Sequence, residues 1–106
     1  MAANFWIARI YGKNSLCLEL SGDFDGMSAM ELLCALKDIS SELKEIYIKA
    51  EALDSVSAFG REVFHKKFPM TALSLKKLIF VGNHCGQIAP KGANCIEFGK
   101  KQQLPL

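Results

Sequence analysis

The chain lacks most of the signatures by which a small enzyme is recognised. No glycine-rich loop ends in Lys-Ser or Lys-Thr, no dinucleotide fingerprint is present, and no His-Glu-x-x-His occurs. Nucleotide-dependent and zinc-hydrolase chemistry of the familiar kinds is therefore not expected. No apolar stretch approaches the roughly 18–20 residues of a membrane helix, and no basic segment precedes a long apolar run. A soluble cytoplasmic protein with no membrane partner is the expectation. Close cysteine pairs of the Cys-x₂-Cys kind are also missing. His84, Cys85 and Cys95, with His65 or Cys17 as a fourth ligand, form no zinc spacing, so neither metal nor other cofactor is expected.

Acidic residues run out in the last third. Residues 66–106 carry seven lysines against Glu97, whereas residues 1–65 carry six Lys/Arg against ten Asp/Glu. Such a gradient can steer an acidic partner. The lysines are spread out, however, without the interleaved arginines and aromatics of a nucleic-acid face, and read as a solvated edge and tail. The four cysteines are an even set, which disulfides could use. Cys17, in an alternating apolar stretch, and Cys34, on a helical segment, read instead as small hydrophobes of a reducing compartment.

Enough apolar residues are present to bury one modest core: 50% of the 106 are hydrophobic and 23% charged, which fits one domain over residues 1–106. Asn4 to Tyr11 is aromatic and branched enough for a strand. Gly12 to Ser15 is a tight turn, and Leu16, Leu18 and Leu20 alternate along a strand returning antiparallel to the first. Ser21 to Gly26 reads as a loop entering a helix over Met27 to Ile39. In that helix Met27, Met30, Cys34 and Lys37 form one stripe, widened by Leu32, Leu36 and Ile39 into the arc of a helix lying on a sheet. Leu43 to Ala50 is a central strand, and Leu75 to Val81 a further one. His84 to Ala93 is a single helical turn or loop. Asn94 to Phe98 is an edge strand with Ile96 and Phe98 inward, and residues 99–106 form a mobile tail. The sum is an α/β fold: a mixed four- to five-stranded sheet with its long helices mainly on one face.

The candidate site lies between the central strand and the helix after it. Leu53-Asp54-Ser55 reads as a polar turn, after which Val56, Phe59, Gly60, Val63 and Phe64 recur at helical spacing up to Pro69. Asp54, Ser55 and Ser57 can each cap that helix. A hydroxyl there could also be phosphorylated, adding about 1.5–2 negative charges to a small surface. Asp23 and Asp25, two residues apart before the first helix, read as a cap and a solvated charge.

Three segments carry a family resemblance: LCLELSGDFDGMSAMELLCAL, the strand IYIKA, and LDSVSAFGREVF. Together, over about Phe5 to Phe98, they resemble the STAS family, which includes bacterial anti-sigma factor antagonists and cytoplasmic domains of sulfate transporters. The family's typical segment at the third position is Asp-Ser-Ser-Gly-Leu-Gly. Matching Phe59-Gly60 to its Leu-Gly puts Ala58 at the first glycine, Ser57 at the second serine, Val56 at the usual phosphoacceptor and Ser55 at the aspartate. A shifted register matches Asp54-Ser55 to Asp-Ser and needs one extra residue before Phe59. The resemblance implies a STAS-like single domain acting as a non-enzymatic protein-interaction module. It implies a regulatory partner such as an anti-sigma factor kinase, met by Asp23, Asp25, Asp54, Ser55, Val56 and Ser57 with Arg61, Glu62 and His65 at the rim. Ser55 is the first candidate phosphoacceptor and Ser57 the second. Two other readings stay open. One is a small enzyme or ligand carrier using a cleft near Asp23, Asp54 and His84. The other is a subunit of a larger assembly, a homodimer included, held through the basic last third and the LPL tail.

Overall fold

Alternating burial along one strand sets the frame. A computed structural model describes residues 4–39, 42–71 and 73–96. Strand β1 (Trp6–Tyr11) turns into β2 (Ser15–Phe24), the hairpin closed by the Gly12 N–H donating to the Ser15 carbonyl at 2.9 Å. Helix α1 (Gly26–Lys37), strand β3 (Glu45–Val56), helix α2 (Ala58–Lys67), strand β4 (Leu78–Val81), the short helix α3 (Cys85–Ile88) and strand β5 (Asn94–Ile96) follow. The sheet order is β1-β2-β3-β4-β5, with β1 antiparallel to β2 and all later pairs parallel. Each parallel connection steps the same way across the sheet, so right-handed crossovers put their helices on one face. This is the expected mixed sheet, with five strands.

The face under the helices is the core. Leu16 and Leu18 of β2, followed on the same face by Leu20, lie in register with Ile46 and Ile48 of β3, and these with Leu78 and Phe80 of β4. All are at most 1% exposed, covered by Ala29, Leu32, Leu33 and Leu36 of α1 and by Phe64 of α2. Each fully buried side chain of this size contributes roughly 1.5–3 kcal/mol against leaving it in water. Phe64 joins the layers, its ring edge-on to Phe24 at 6.2 Å and to Phe80 at 6.3 Å. Among the described residues, no helix is long and apolar enough to cross a membrane.

Several boundaries differ from the sequence expectation. Residues 21–24 are not loop but the end of β2, and Leu53-Asp54-Ser55 is not a turn but part of β3. The reason is irregular parallel pairing. β3 uses twelve residues against ten in β2, and its register slips once between Glu19 and Ser21 and again between Gly22 and Asp23. Each slip leaves an extra residue on β3, and a bulge of this kind breaks the period-two pattern from which a strand is read. The segment before β4 is likewise a 3₁₀ turn, Leu75–Lys77, rather than strand. In α1 the stripe of Met27, Met30 and Cys34 is exposed, and the buried arc is Ala29, Leu32, Leu33 and Leu36. Ile96 is 38% exposed on its edge strand rather than inward. Phe98 and the tail over residues 99–106 lie outside the described residues.

The cysteines also differ from expectation. Cys85, fully buried at the start of α3, and Cys95 of β5 are joined in a disulfide, their Cα atoms 6.1 Å apart. Parallel pairing of β4 with β5 brings the two together across ten residues of sequence. Cys34 is an exposed thiol, and Cys17 is half-buried, with burial pushing its thiol pKa up. In denaturant without reductant, intact-mass counting after alkylation is expected to find two reactive thiols. After reduction it is expected to find four.

Candidate functional site

Two helices begin side by side at the C-terminal ends of β2 and β3. Asp25 caps α1, its carboxylate accepting from the Ser28 N–H at 3.0 Å. Ser57 caps α2, its hydroxyl oxygen accepting from the Gly60 N–H at 2.9 Å. Both caps satisfy donors that the first turn of a helix leaves unpaired. Parallel strands create this geometry, since each delivers its chain to a helix start at the same edge of the sheet.

The two starts are locked together. The Ser57 N–H donates to the Phe24 carbonyl at 2.9 Å, carrying the sheet's hydrogen bonding up to the helix. Gly60 then passes so close to β2 that an added Cβ would stand 2.7 Å from the Phe24 oxygen and 2.8 Å from the Asp25 carbonyl. Only a residue without a side chain permits that approach. Ser28, fully buried, donates to the Asp23 carbonyl at 2.7 Å and fixes the chain entering α1. The Ser55 hydroxyl donates to the Asp23 carboxylate at 2.7 Å, a contact that depends on the second register slip.

The expected residues are distributed as follows. Asp23, Asp25, Ser55 and Ser57 converge on this edge through the bonds just described. Asp54 is exposed on β3, and Val56, the last residue of β3, is half-buried against the core rather than on the helix. Arg61 and Glu62 are exposed on α2. His65 turns away from them, its Nε2 lying 3.1 Å from the Ile88 carbonyl of α3. His84 stands at the start of α3 with a buried Nδ1 that finds no partner among the described residues. The hollow beside the paired helix starts is lined by Asp25, Gly26, Met27, Met30, Phe59, Val63 and Lys67, without Asp23, Asp54 or His84. Among the described residues, no three of His, Cys, Asp and Glu gather as a metal site requires.

Sequence reasoning missed Phe59 and Met27 as surface groups. Both are apolar and at helical spacing, and were assigned to packing. Phe59 is 66% exposed and Met27 58%, on the first turns of α2 and α1. Gly26 makes room for the Phe59 ring: a Cβ at that position would stand 2.7 Å from it. The available signal was the pairing of glycine at one helix start with an aromatic residue at the other.

No family model matches the chain, and no curated protein matches it. Solved structures resemble it in fold. A chain from a crystal structure analysis of Mglu aligns with a TM-score of 0.55 at 13% identity, over 92% of this chain and 20% of that one. Mglu in its native form gives 0.52 at 10% identity, over 84% and 23%. This chain thus spans about a fifth of the Mglu chains it matches. The anti-sigma factor antagonist SpoIIAA in its unphosphorylated form aligns with a TM-score of 0.48 at 12% identity, over 73% and 71%.

Two predictions follow from the locked helix starts. Gly60→Ala forces backbone apart, and is expected to destabilise by about 1–3 kcal/mol in urea unfolding, the usual cost of overpacking. Asp25 has its carboxyl held below the usual carboxylate range, first by the Ser28 N–H and then by the Ser28 hydroxyl. A depressed folded pKa contributes stability that is present above the unfolded value of about 3.9 and is lost as pH falls through the folded one. Asp25→Ala is expected to cost about 0.5–2 kcal/mol at pH 7. That deficit should shrink as paired urea titrations are taken down below about pH 4.

Proposed function

We propose that the protein is a non-enzymatic regulatory docking module of STAS type, and that it meets its partner at the paired starts of α1 and α2. The observation that carries this reading is the exposed pair of Phe59 and Met27, set among capped helix ends and short polar side chains. Large exposed apolar groups rimmed by polar residues mark interaction surfaces. The family resemblance of the segments around residues 16–36 and 53–64 supports the same edge. Asp23, Asp25, Asp54, Ser55, Val56 and Ser57 belong to it, with Arg61 and Glu62 at the rim and His65 as a support behind. The partner is a signalling protein of the anti-sigma factor kinase kind.

The hydrogen bonds favour Ser57 over Ser55 as a phosphoacceptor. A phosphate on Ser55 would crowd the Asp23 carboxylate that its hydroxyl now meets at 2.7 Å. A phosphate on Ser57 would stand at the N-terminus of α2, where unpaired N–H groups and the helix dipole favour negative charge. It would also place about two charges beside Phe59, enough to disrupt an apolar contact. Docking is the primary function, and phosphorylation its regulator.

The open face of the sheet favours a second reading. Trp6 is 67% and Ile10 52% exposed there, and Ile96 38%, so a subunit of a larger assembly could bury that face. Capture from source cells on the immobilised domain separates the two. Recovery of an anti-sigma factor or its kinase is expected, lost on Phe59→Ala and Arg61→Glu but kept on Trp6→Ala. The reverse pattern would favour assembly through the sheet. Incubation with the recovered kinase should add one phosphate by intact mass, abolished by Ser57→Ala and kept by Ser55→Ala.

A further inference from the structure

We propose that the groove between α1 and α2 receives an amphipathic helix of a partner protein, one whose apolar stripe is flanked by acidic residues. The inference rests on the docking reading above and gives the partner its chemistry. Met27 and Met30 on α1 face Phe59 and Val63 on α2 across one hollow, which continues past Leu33 towards Met70. Met27, Met30, Phe59 and Met70 are 58%, 43%, 66% and 73% exposed, half of the large apolar side chains left in water among the described residues. Methionine side chains repack around whatever enters, a property of surfaces that accept helices.

Dimensions fit one occupant. The stripe from Met27 to Lys37 covers eleven residues of helix, ten rises of roughly 1.5 Å, or about 15 Å. That spans two to three turns of an incoming helix, enough for anchors at i, i+3 or i+4, and i+7. Charge selects among such helices. Lys67 lines both parts of the groove and Lys37 its far end, and neither lysine meets a carboxylate among the described residues. The acid in the lining, Asp25, holds the Ser28 N–H. Glu31 and Asp38 lie on the other flank of α1, towards β1. Acidic residues on the partner would therefore find two lysines along the groove, whereas an anionic lipid surface would also meet Glu31 and Asp38. The hollow is concave as well, which suits a rod-shaped ligand better than a membrane.

Selection of a display library of helical peptides on the full chain tests this. Enriched sequences should place Leu, Ile, Met or Phe at i, i+3 or i+4, and i+7, with Asp or Glu beside that stripe. A synthetic peptide of the enriched sequence should lose at least tenfold in affinity on Met30→Glu. The double variant Lys37→Glu with Lys67→Glu should turn selection towards Lys- or Arg-flanked sequences while keeping the apolar spacing. Methyl resonances of Met27, Met30 and Met70 should shift on peptide addition. Four results would overturn the proposal: no helical enrichment, enrichment indifferent to the lysine reversal, equal methyl shifts with phosphatidylserine vesicles, or the same shifts on concentrating the protein alone. The last two would assign the groove to a lipid surface or to a second copy. A failed selection alongside capture that still depends on Arg61 would reject the groove and leave the docking edge standing.

Discussion

The approach of Gly60 to the end of β2 is the constraint on which this molecule's surface depends. It draws α2 against the Phe24–Asp25 backbone, and Ser57 completes the contact with its hydrogen bond to Phe24. Beneath it, Phe24 and Phe64 meet edge to face and lead on to Phe80, with all three rings withdrawn from water. Aromatic pairs of this geometry add about 0.5–1.5 kcal/mol beyond the burial of their area. A side chain at position 60 would part the helices' first turns, and with them the groove and the cap arrangement. Core packing and surface geometry are here one interaction.

The fold fixes the polar groups at that edge. Asp25 and Ser57 are held by helix donors, and Asp23 by Ser55, so these side chains are oriented rather than loose. An ordered polar border around exposed apolar groups costs a partner little to dock against, because few rotamers remain to be fixed. Ser57 has a structural role of its own: its side-chain oxygen caps α2, and in the proposed reading a phosphate would occupy the same oxygen. Modification would exchange a neutral cap for a charged one and change the surface more than the fold.

The candidate site was partly legible in the sequence. Asp25 and Ser57 stood where capping residues should, whereas Gly60 read only as a member of the helical stripe and not as a point of close backbone approach. What was not legible was the exit of β3. Two extra residues, near Glu51 and Asp54, broke the alternation that identifies a strand, and the segment read as a turn. Ser55 was thereby given to the turn and Val56 to the helix, although β2 holds both in the sheet. The methionine stripe of α1 was found at its correct spacing but turned towards the wrong layer. Periodicity tells which residues share a face. It does not tell which of two apolar faces the sheet will cover.

By itself the sequence determined the order of elements, the antiparallel start, a mixed sheet and the one-sided helices. Those follow from local alternation, helical spacing and the handedness of crossovers. Tertiary structure alone decided three matters. It joined Cys85 to Cys95 by setting β5 beside β4, against the reading of reduced cysteines. It extended β2 and β3 through pairing that neither strand could hold alone. Finally, it left Met27, Met30 and Phe59 outside, because the smaller Ala29 and the branched Leu32, Leu33 and Leu36 fill the space over the sheet. A core has finite volume, and the side chains it cannot accommodate become the surface available to a partner.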